Sequence, residues 1–400
     1  MSFFKNIKQL FVRELGIIAN DGSVLLTVFI APLLYMFLLG TIYIDKDIDS
    51  VDISVLDQDN SQLSRTFIRF LESSQKVHVK RQVVNYTEAK DLLLNIDVHG
   101  VVMIPKGFDG DIRLLKGSHV NVYLNNSRFL MSNEINKTVQ KTAAMMGAGI
   151  RLRYFEEHGA RPQDAIEMVM PVQADIKFLN NIFNNYGYFL LPGLLLLILH
   201  QTLVIGLGES LSLERQEKML PQLLKSDYGI FTAIIGKNLV YFTLYVAYFL
   251  LVFSVIFPFY DLPVKGNLPT LFLLSFLFIV SVLLFTNLFA LLFKKQLVFM
   301  EIAAFTSYPI FLITGYSWPT YALAWPYQLL ADIIPITPML EGVIKVTQQN
   351  AGLDVIQRPV MILIVQIIVY TGLTYWRYYY LRNKMEKEDL ELQSSQTNLD

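Results

Sequence analysis

The stretch SVLLTVFIAPLLYMFLLGTIYI (23–44) holds no charged residue, and it is followed at once by DKDIDSVDISVLDQDN (45–60), in which six of sixteen residues are Asp. A helix rises about 1.5 Å per residue, so the roughly 30 Å hydrocarbon core of a bilayer takes about 20 apolar residues to cross. Residues 23–44 therefore read as a membrane-spanning helix, with Pro32 as a kink. No small-residue cleavage site follows it, so it reads as a retained span, not a leader. Five further runs of the same kind lie at 186–208, 230–257, 269–293, 297–318 and 360–381. The chain is 53% hydrophobic and 17% charged; soluble proteins sit nearer 45–50% and about 25%. The fold class expected is an α-helical polytopic membrane protein with six transmembrane helices.

Ahead of the first span, residues 1–22 have helical period. Phe3, Phe4, Ile7, Leu10, Phe11, Leu15, Ile17 and Ile18 fall on one arc, and Lys5, Asn6, Lys8, Gln9 and Arg13 on the other. Glu14 breaks the pattern. A basic face opposite a Phe/Leu face suits an amphipathic helix lying in the membrane interface.

Residues 45–182 differ in kind. VDISVLD (51–57), KVHVKRQVV (76–84), VHGVVMIP (98–105) and HVNVYLN (119–125) read as strands. QLSRTFIRFLES (62–73) and the EAKDLLLN segment, capped by Thr87, read as helices. This alternation predicts a small α/β domain inserted after the first span. Asp57, Asn60 and Ser61 suit a turn that caps a helix. From Ser132 to about Asn181 the pattern turns helical, broken near Gly159–Pro162, as a stalk returning to the membrane. Residues 183–382 form a five-helix region, and 383–400 read as a disordered tail.

Basic residues near span ends set orientation. Lys5, Lys8, Arg13; Arg215, Lys218, Lys225; Lys294, Lys295; and Arg377, Arg382, Lys384, Lys387 fall on one side. Only Lys265, Lys345 and Arg358 fall in the opposite short loops. Both termini are thus expected in the cytoplasm, and 45–182 outside it.

Much is excluded. The net charge is −1, so no nucleic-acid partner is implied. There is no cysteine, and the five histidines are scattered, so no metal site is expected. No phosphate-binding Gly-x-x-x-x-Gly-Lys-[Ser/Thr] loop, Gly-x-Ser-x-Gly elbow or His-Glu-x-x-His is present, so no catalytic residue is assigned. IPKGFDGD (104–111) looks faintly phosphate-like but reads as a strand end and turn.

The order of segments, with GESLSLERQEKMLPQLLKS (208–226), GKNLVYF (236–242) and GYSWPTYALAWPYQLLADIIPITPMLEGVIKVTQQNAG (315–352), resembles the type 2 ABC exporter permeases, in the subgroup with bacterial multidrug and sodium-efflux permeases. The resemblance covers nearly the whole chain. It implies a permease subunit, not itself an enzyme, in the bacterial cytoplasmic membrane. The partners implied are a separate ABC ATP-binding subunit that holds ATP and Mg, a second permease subunit (homodimer or paralogue), membrane lipids and, as one further option, a periplasmic adaptor. It implies an ATPase-coupling helix over 209–228, carrying Glu209, Glu214, Arg215, Glu217, Lys218, Leu223 and Leu224. Lys218-Met219 stand where Gly-Thr is usual. It also implies a re-entrant segment over 319–358 and a gate motif of Gly315, Pro319, Pro326, Pro335, Thr337, Glu341 and Gly352. Lys237 would snorkel to the interface.

Ionisable or polar groups inside spans are functional candidates by default. His200, Gln201, Asn287 and Glu301 are the candidates for lining a pathway, with Gln366 a weaker one; Glu341 has a structural alternative in pairing with Lys345. The reading is an ATP-driven exporter subunit. Two alternatives stay open, an ion-gradient-coupled secondary transporter and a membrane sensor or scaffold with an outer ligand-binding domain.

Overall fold

The computed structural model describes residues 3–43, 50–114, 116–170, 177, 179–181, 186–217, 219 and 229–397, with side chains for 4–385. Two compact units result, one formed by Met1–Lys46 with Phe178–Asp400, the other by Asp47–Lys177.

Among the described residues of the first unit, α1 (Phe3–Asn20) is followed by six helices long and apolar enough to cross a membrane: α2 (Gly22–Ile42), α8 (Tyr186–Gln216), α9 (Gly229–Phe259), α10 (Leu268–Ala290), α11 (Gln296–Ile313) and α14, whose apolar part is Gln357–Met385. Between α11 and α14 lie the short helices α12 (Trp325–Ile333) and α13 (Ile336–Gln349). Pro326 opens α12 and Pro335 caps α13, as proline suits positions whose N–H has no helical partner. The central helix is α8, whose most apolar window is 72% buried, against 17% for α11. It touches α2, α9, α10, α11 and α13. Around it Leu191, Leu195, Leu199, Leu203 and Leu207 are fully buried.

Prolines inside these helices remove a hydrogen bond to the carbonyl four residues back, and other helices supply the missing donor. Pro32 leaves the Val28 carbonyl without its usual partner. The helix widens into a π turn over Leu26–Ile30, and the Tyr248 hydroxyl of α9 donates to Val28 O at 3.0 Å and Phe29 O at 3.2 Å. Pro192 does the same to Tyr188, whose carbonyl accepts from Gln348 Nε2 at 3.2 Å. Tyr248→Phe is expected to lower stability by about 1 kcal/mol, the worth of one internal hydrogen bond. Thermal unfolding in detergent checks this, and an unchanged midpoint would mean that α2 finds another donor.

The helix α14 continues to Thr397, so the expected disordered tail from 383 is helical through that residue. Glu, Lys, Leu and Gln, strong helix formers, dominate the segment, and they outweigh its lack of an apolar face.

The second unit carries a four-stranded sheet in the order β2-β1-β3-β4 (Val77–Val83, Val51–Asp57, Gly100–Ile104, Asn121–Leu124). The pairs β1–β2 and β1–β3 are parallel, which requires crossovers; α3 (Gln62–Glu72) and α4 (Tyr86–Leu94) provide them. The last pair, β3–β4, is antiparallel. The period of two divides the core. Ile53, Val55, Val102 and Ile104 pack with α3, α5 (Phe108–Arg113) and α6 (Phe129–Glu157), while Leu56 and Val101 pack with Ala89 and Leu92 of α4. A further short helix, α7 (Pro162–Val169), packs on α6.

Two local readings are refined. Ser61 caps α3, accepting from Ser64 N at 3.0 Å, and Asp57 Oδ1 holds the preceding turn through Asp59 N and Asn60 N. The cap of α4 is Asn85, not Thr87, because its side chain reaches Glu88 N at 2.8 Å.

The phosphate-like turn is already occupied by the chain itself. Asp59 Oδ1 accepts from Gly107 N (2.7 Å) and Phe108 N (3.1 Å), and Oδ2 from Asp109 N (3.0 Å). Partial burial works against its charge, but hydrogen bonds from Ser61 and the three amides outweigh it and hold the carboxyl below its ordinary value. A depressed carboxylate adds stability above its unfolded value of 3.8 and loses it as pH falls through the folded value. Asp59→Ala is expected to cost about 0.5–2 kcal/mol locally, as lost helix caps do. Protection of the amides of residues 107–109, taken relative to intrinsic exchange at the same pH, should fall in the variant, and in the wild type as pH drops below 3.8. Unchanged exchange would show that the turn stands without Asp59.

Candidate functional site

Two polar clusters flank α8, one near each end. At its C-terminal end, α1, α8 and α9 meet around Lys237. The Lys237 side chain is 3% exposed. Its Nζ donates to Glu14 Oε2 (2.7 Å), Glu14 Oε1 (2.8 Å) and Ser210 Oγ (2.9 Å), and lies 3.2 Å from Glu214 Oε2. Arg13 Nη1 pairs with Glu214 Oε1 at 2.6 Å. Ser210 Oγ and the Tyr241 hydroxyl also donate to Glu14 Oε1, at 2.7 and 3.1 Å. Two carboxylates and two cations thus balance in a site shielded from water.

Lys237 does not snorkel to a boundary. It points into the protein, because Glu14 and Glu214 are fully buried and need its charge. The break in the apolar arc of α1 is explained by the same contact. The face of α1 buried in protein is the stripe Asn6, Leu10, Glu14 and Ile18, while Phe4 and Val12 stay exposed. Gly236 permits the approach, since a methyl there would sit 2.6 Å from Leu10 Cβ.

The residues expected in the coupling helix fall into three groups. Glu209, Glu214 and Arg215 continue α8 itself, because nothing between 208 and 216 stops a helix. Their side chains turn inward. Glu209 Oε1 accepts from Gln296 Nε2 at 3.0 Å, and Arg215 Nη1 donates to the carbonyls of Leu291 (2.5 Å) and Phe293 (2.8 Å) at the end of α10. Arg377 of α14 shares the Leu291 carbonyl at 3.1 Å. Glu217 is exposed. Lys218, Leu223 and Leu224 lie outside the described residues.

At the N-terminal end of α8, Tyr316 meets Pro192 and Gly193. Gly315, with φ of +82°, makes the turn that brings Tyr316 back onto α8. The Tyr316 hydroxyl accepts from Gly193 N at 3.0 Å and donates to the Phe189 carbonyl. It therefore sits between the two groups that an unbroken α-helix pairs with one another. The ring stacks on Phe189, centroids 5.2 Å apart. Pro319 precedes a short 3₁₀ turn. Thr337 is buried and its hydroxyl has no partner among the described residues. Glu341 accepts from Lys345 Nζ (2.8 Å) and from Arg358 Nη1 (2.6 Å). Gly352 accepts from Val355 N in the turn after α13. From Gly193 to Ser210 the helix climbs about 25 Å, near the thickness of a hydrocarbon core. The two clusters thus stand a membrane's depth apart on one helix.

The four pathway candidates are not brought together. His200 is buried against Phe278, and neither ring nitrogen has a partner among the described residues. Gln201 Nε2 donates to Ala303 O at 2.6 Å. Asn287 is locked between Asn238, Leu283 O and the Tyr378 hydroxyl. Glu301 is exposed on α11. The weaker candidate Gln366 bridges Ser281 and Asp332 O. Among the described residues no group of three or more His, Cys, Asp or Glu side chains is placed to hold a metal ion.

A family model described as "ABC-2 family transporter protein" matches residues 23–376, from the start of the first span to within the last. The chain belongs to the ABC-2 transporter family. The linearmycin resistance permease protein LnrN of Bacillus subtilis (strain 168) is 30% identical over 106 residues, an alignment that spans 26% of this chain and 26% of that relative. The family expected from the three motif stretches is thereby shown. An ABC-2 permease is the transmembrane subunit of an ABC transporter; it is not itself the ATPase and works with an ATP-binding subunit. In this permease, the residues that sequence reading missed are Glu14, Ser210, Tyr241 and Tyr316. The signal for the first was present: an acid on an apolar arc and a lysine opening a span are each costly alone and neutral together.

Proposed function

We propose that this permease is the membrane subunit of an ATP-driven exporter in the bacterial cytoplasmic membrane, with both termini in the cytoplasm and residues 45–182 outside. The Lys237 cluster carries the mechanical part of this reading. The segment after Gln216 is the natural docking point for an ATPase. Any push there acts on α8, and the buried ion pairs tie α8 to α1 and α9, so the three move as one body. At the far end of α8, the Tyr316 hydroxyl couples that body to the turn before α12. ATP drives the cycle only to the extent that the ATPase binds one arrangement better than the other. The distribution of Lys and Arg supports the orientation. The linearmycin resistance named for the relative favours a toxic, drug-like cargo over an ion or a lipid. A second permease copy or a paralogue completes the pathway, with a periplasmic adaptor as an optional further partner, and ATP and Mg reside on the ATPase.

The test is co-purification. The C-terminally tagged chain, gently solubilised, should carry an ABC ATPase identifiable by mass spectrometry. Replacing Glu217, Lys218, Leu223 and Leu224 together by Ala should release it, and these are chosen because Glu214 and Arg215 face inward. An ATPase retained by that variant would move the docking point. Absence of any ATPase, with transport that collapses under an uncoupler at constant ATP, would replace this reading with ion-gradient coupling.

A further inference from the structure

Beside Tyr316, a cavity of about 340 Å³ is lined by Asp332, Thr337, Glu341, Lys345 and Arg358. Its charged groups form a chain. Lys345 Nζ reaches Glu341 Oε1 at 2.8 Å, Arg358 Nη1 reaches Glu341 Oε2 at 2.6 Å, and Arg358 Nη2 lies 3.4 Å from Asp332 Oδ1. These contacts leave donors over. An ammonium has three N–H and a guanidinium five, and each base spends only part of that number on its acids. The acids keep acceptor capacity as well. Thr337, 5% exposed, carries a hydroxyl with no partner among the described residues. A buried hydroxyl is ordinarily hydrogen-bonded, so this one points to something the cavity receives.

The charge balance narrows what that is. Two acids and two bases sum to zero. A purely anionic or purely cationic guest would leave one charge uncompensated in a half-shielded site, whereas a guest carrying both signs would not. Its anionic oxygens would meet Arg358, Lys345 and the Thr337 hydroxyl, and its ammonium would meet Asp332 and Glu341. The surroundings indicate depth. Trp318, Tyr321, Trp325 and Tyr327 are all exposed on the segment that flanks the cavity, and exposed Trp and Tyr favour the boundary between lipid and water.

We propose that this cavity binds a group carrying a phosphate and a primary ammonium, as on phosphatidylethanolamine. The proposal needs the chain to lie in a membrane but does not depend on export. Two sources present the same chemistry, a lipid headgroup and a free phosphoethanolamine-type solute.

Native mass spectrometry of the full-length protein in detergent distinguishes them. Titration with phosphatidylethanolamine, phosphatidylglycerol and O-phosphoethanolamine should show the ethanolamine lipid binding about tenfold more tightly than the glycerol lipid. Arg358→Gln and Thr337→Val should each weaken it about tenfold, the worth of one hydrogen bond to a charged group, while Thr337→Ser keeps it. Thermal midpoints read alongside separate lost binding from lost fold. Displacement of the lipid by millimolar O-phosphoethanolamine would assign the site to a soluble guest; no displacement would assign it to the lipid. Equal binding of the two lipids, or binding unchanged in both Arg358→Gln and Thr337→Val at unchanged thermal midpoints, would overturn the proposal and leave the cavity to water.

Discussion

Lys237→Met is expected to destabilise the protein by about 3–5 kcal/mol, the usual cost of removing one partner from a buried ion pair. Whole folds are worth only about 5–15 kcal/mol. The variant should therefore accumulate poorly, unfold at a markedly lower temperature in detergent and fail to transport. The cause is specific. Lys237 neutralises Glu14 and lies 3.2 Å from Glu214 Oε2. Without it, Arg13 alone faces two buried carboxylates. Adding Glu14→Gln to Lys237→Met should recover much of the loss, because it removes the charge that the first change stranded; the shortfall from additivity measures the pairing. Exchanging the charges, Glu14→Lys with Lys237→Glu, should not restore stability, since the new glutamate would face Glu214. Wild-type stability in Lys237→Met would mean that the side chain reaches the membrane boundary after all. Full rescue by the exchange would remove Glu214 from the cluster.

Gly193→Ala should be nearly as damaging, for a steric reason. A methyl at 193 would sit 2.3 Å from Tyr316 Cζ. The ring has little room to yield, being stacked on Phe189 and tilted against Phe311. Overpacking of this kind costs about 1–3 kcal/mol. Displacing the hydroxyl also deprives the Gly193 N–H and the Phe189 carbonyl of their bridge, at about 1–3 kcal/mol for each buried group left unsatisfied. Tyr316→Phe removes the bridge without the clash, so its loss should be the smaller of the two. Transport should fall in both, if α8 drives the turn at Gly315 through this contact. Thermal unfolding together with hydrogen exchange at Gly193 tests the order. A Gly193→Ala protein as stable as the wild type would show that Tyr316 has another resting place, and equal losses in both variants would show that the hydroxyl alone matters.

What could be read in advance follows the range of the interaction. Long apolar runs become helices because an unsatisfied backbone has no solvent in lipid, and that is a property of each segment by itself. All six spans begin within a few residues of their expected starts; at their ends α8 runs past 208 to Gln216, α11 stops at Ile313 short of 318, and α14 runs past 381 to Thr397. The alternation in 51–57 and 98–105 likewise records two faces of a buried sheet. The caps fared less well. Asn85 and Thr87 both suit a cap, and only the fold at Tyr86 chose between them.

The face of α1 was misleading for a different reason. Helical periodicity sorts residues by their fitness for water, and by that measure Asn6 and Glu14 belong outside. The partner of Glu14 in space lies far along the chain, Lys237 standing 223 positions on. The Tyr316 bridge closes over 123 residues to Gly193. No local pattern encodes such a contact, because either member alone reads as a defect. The six apolar helices and the likeness to ABC-2 permeases were legible in the sequence residue by residue, since each rests on neighbouring residues and the bilayer or water around them. Only the tertiary structure decided which charges cancel, which hydroxyl spans a proline's gap and which candidate residues turn inward, because burial makes a charge intolerable until a distant segment brings its opposite.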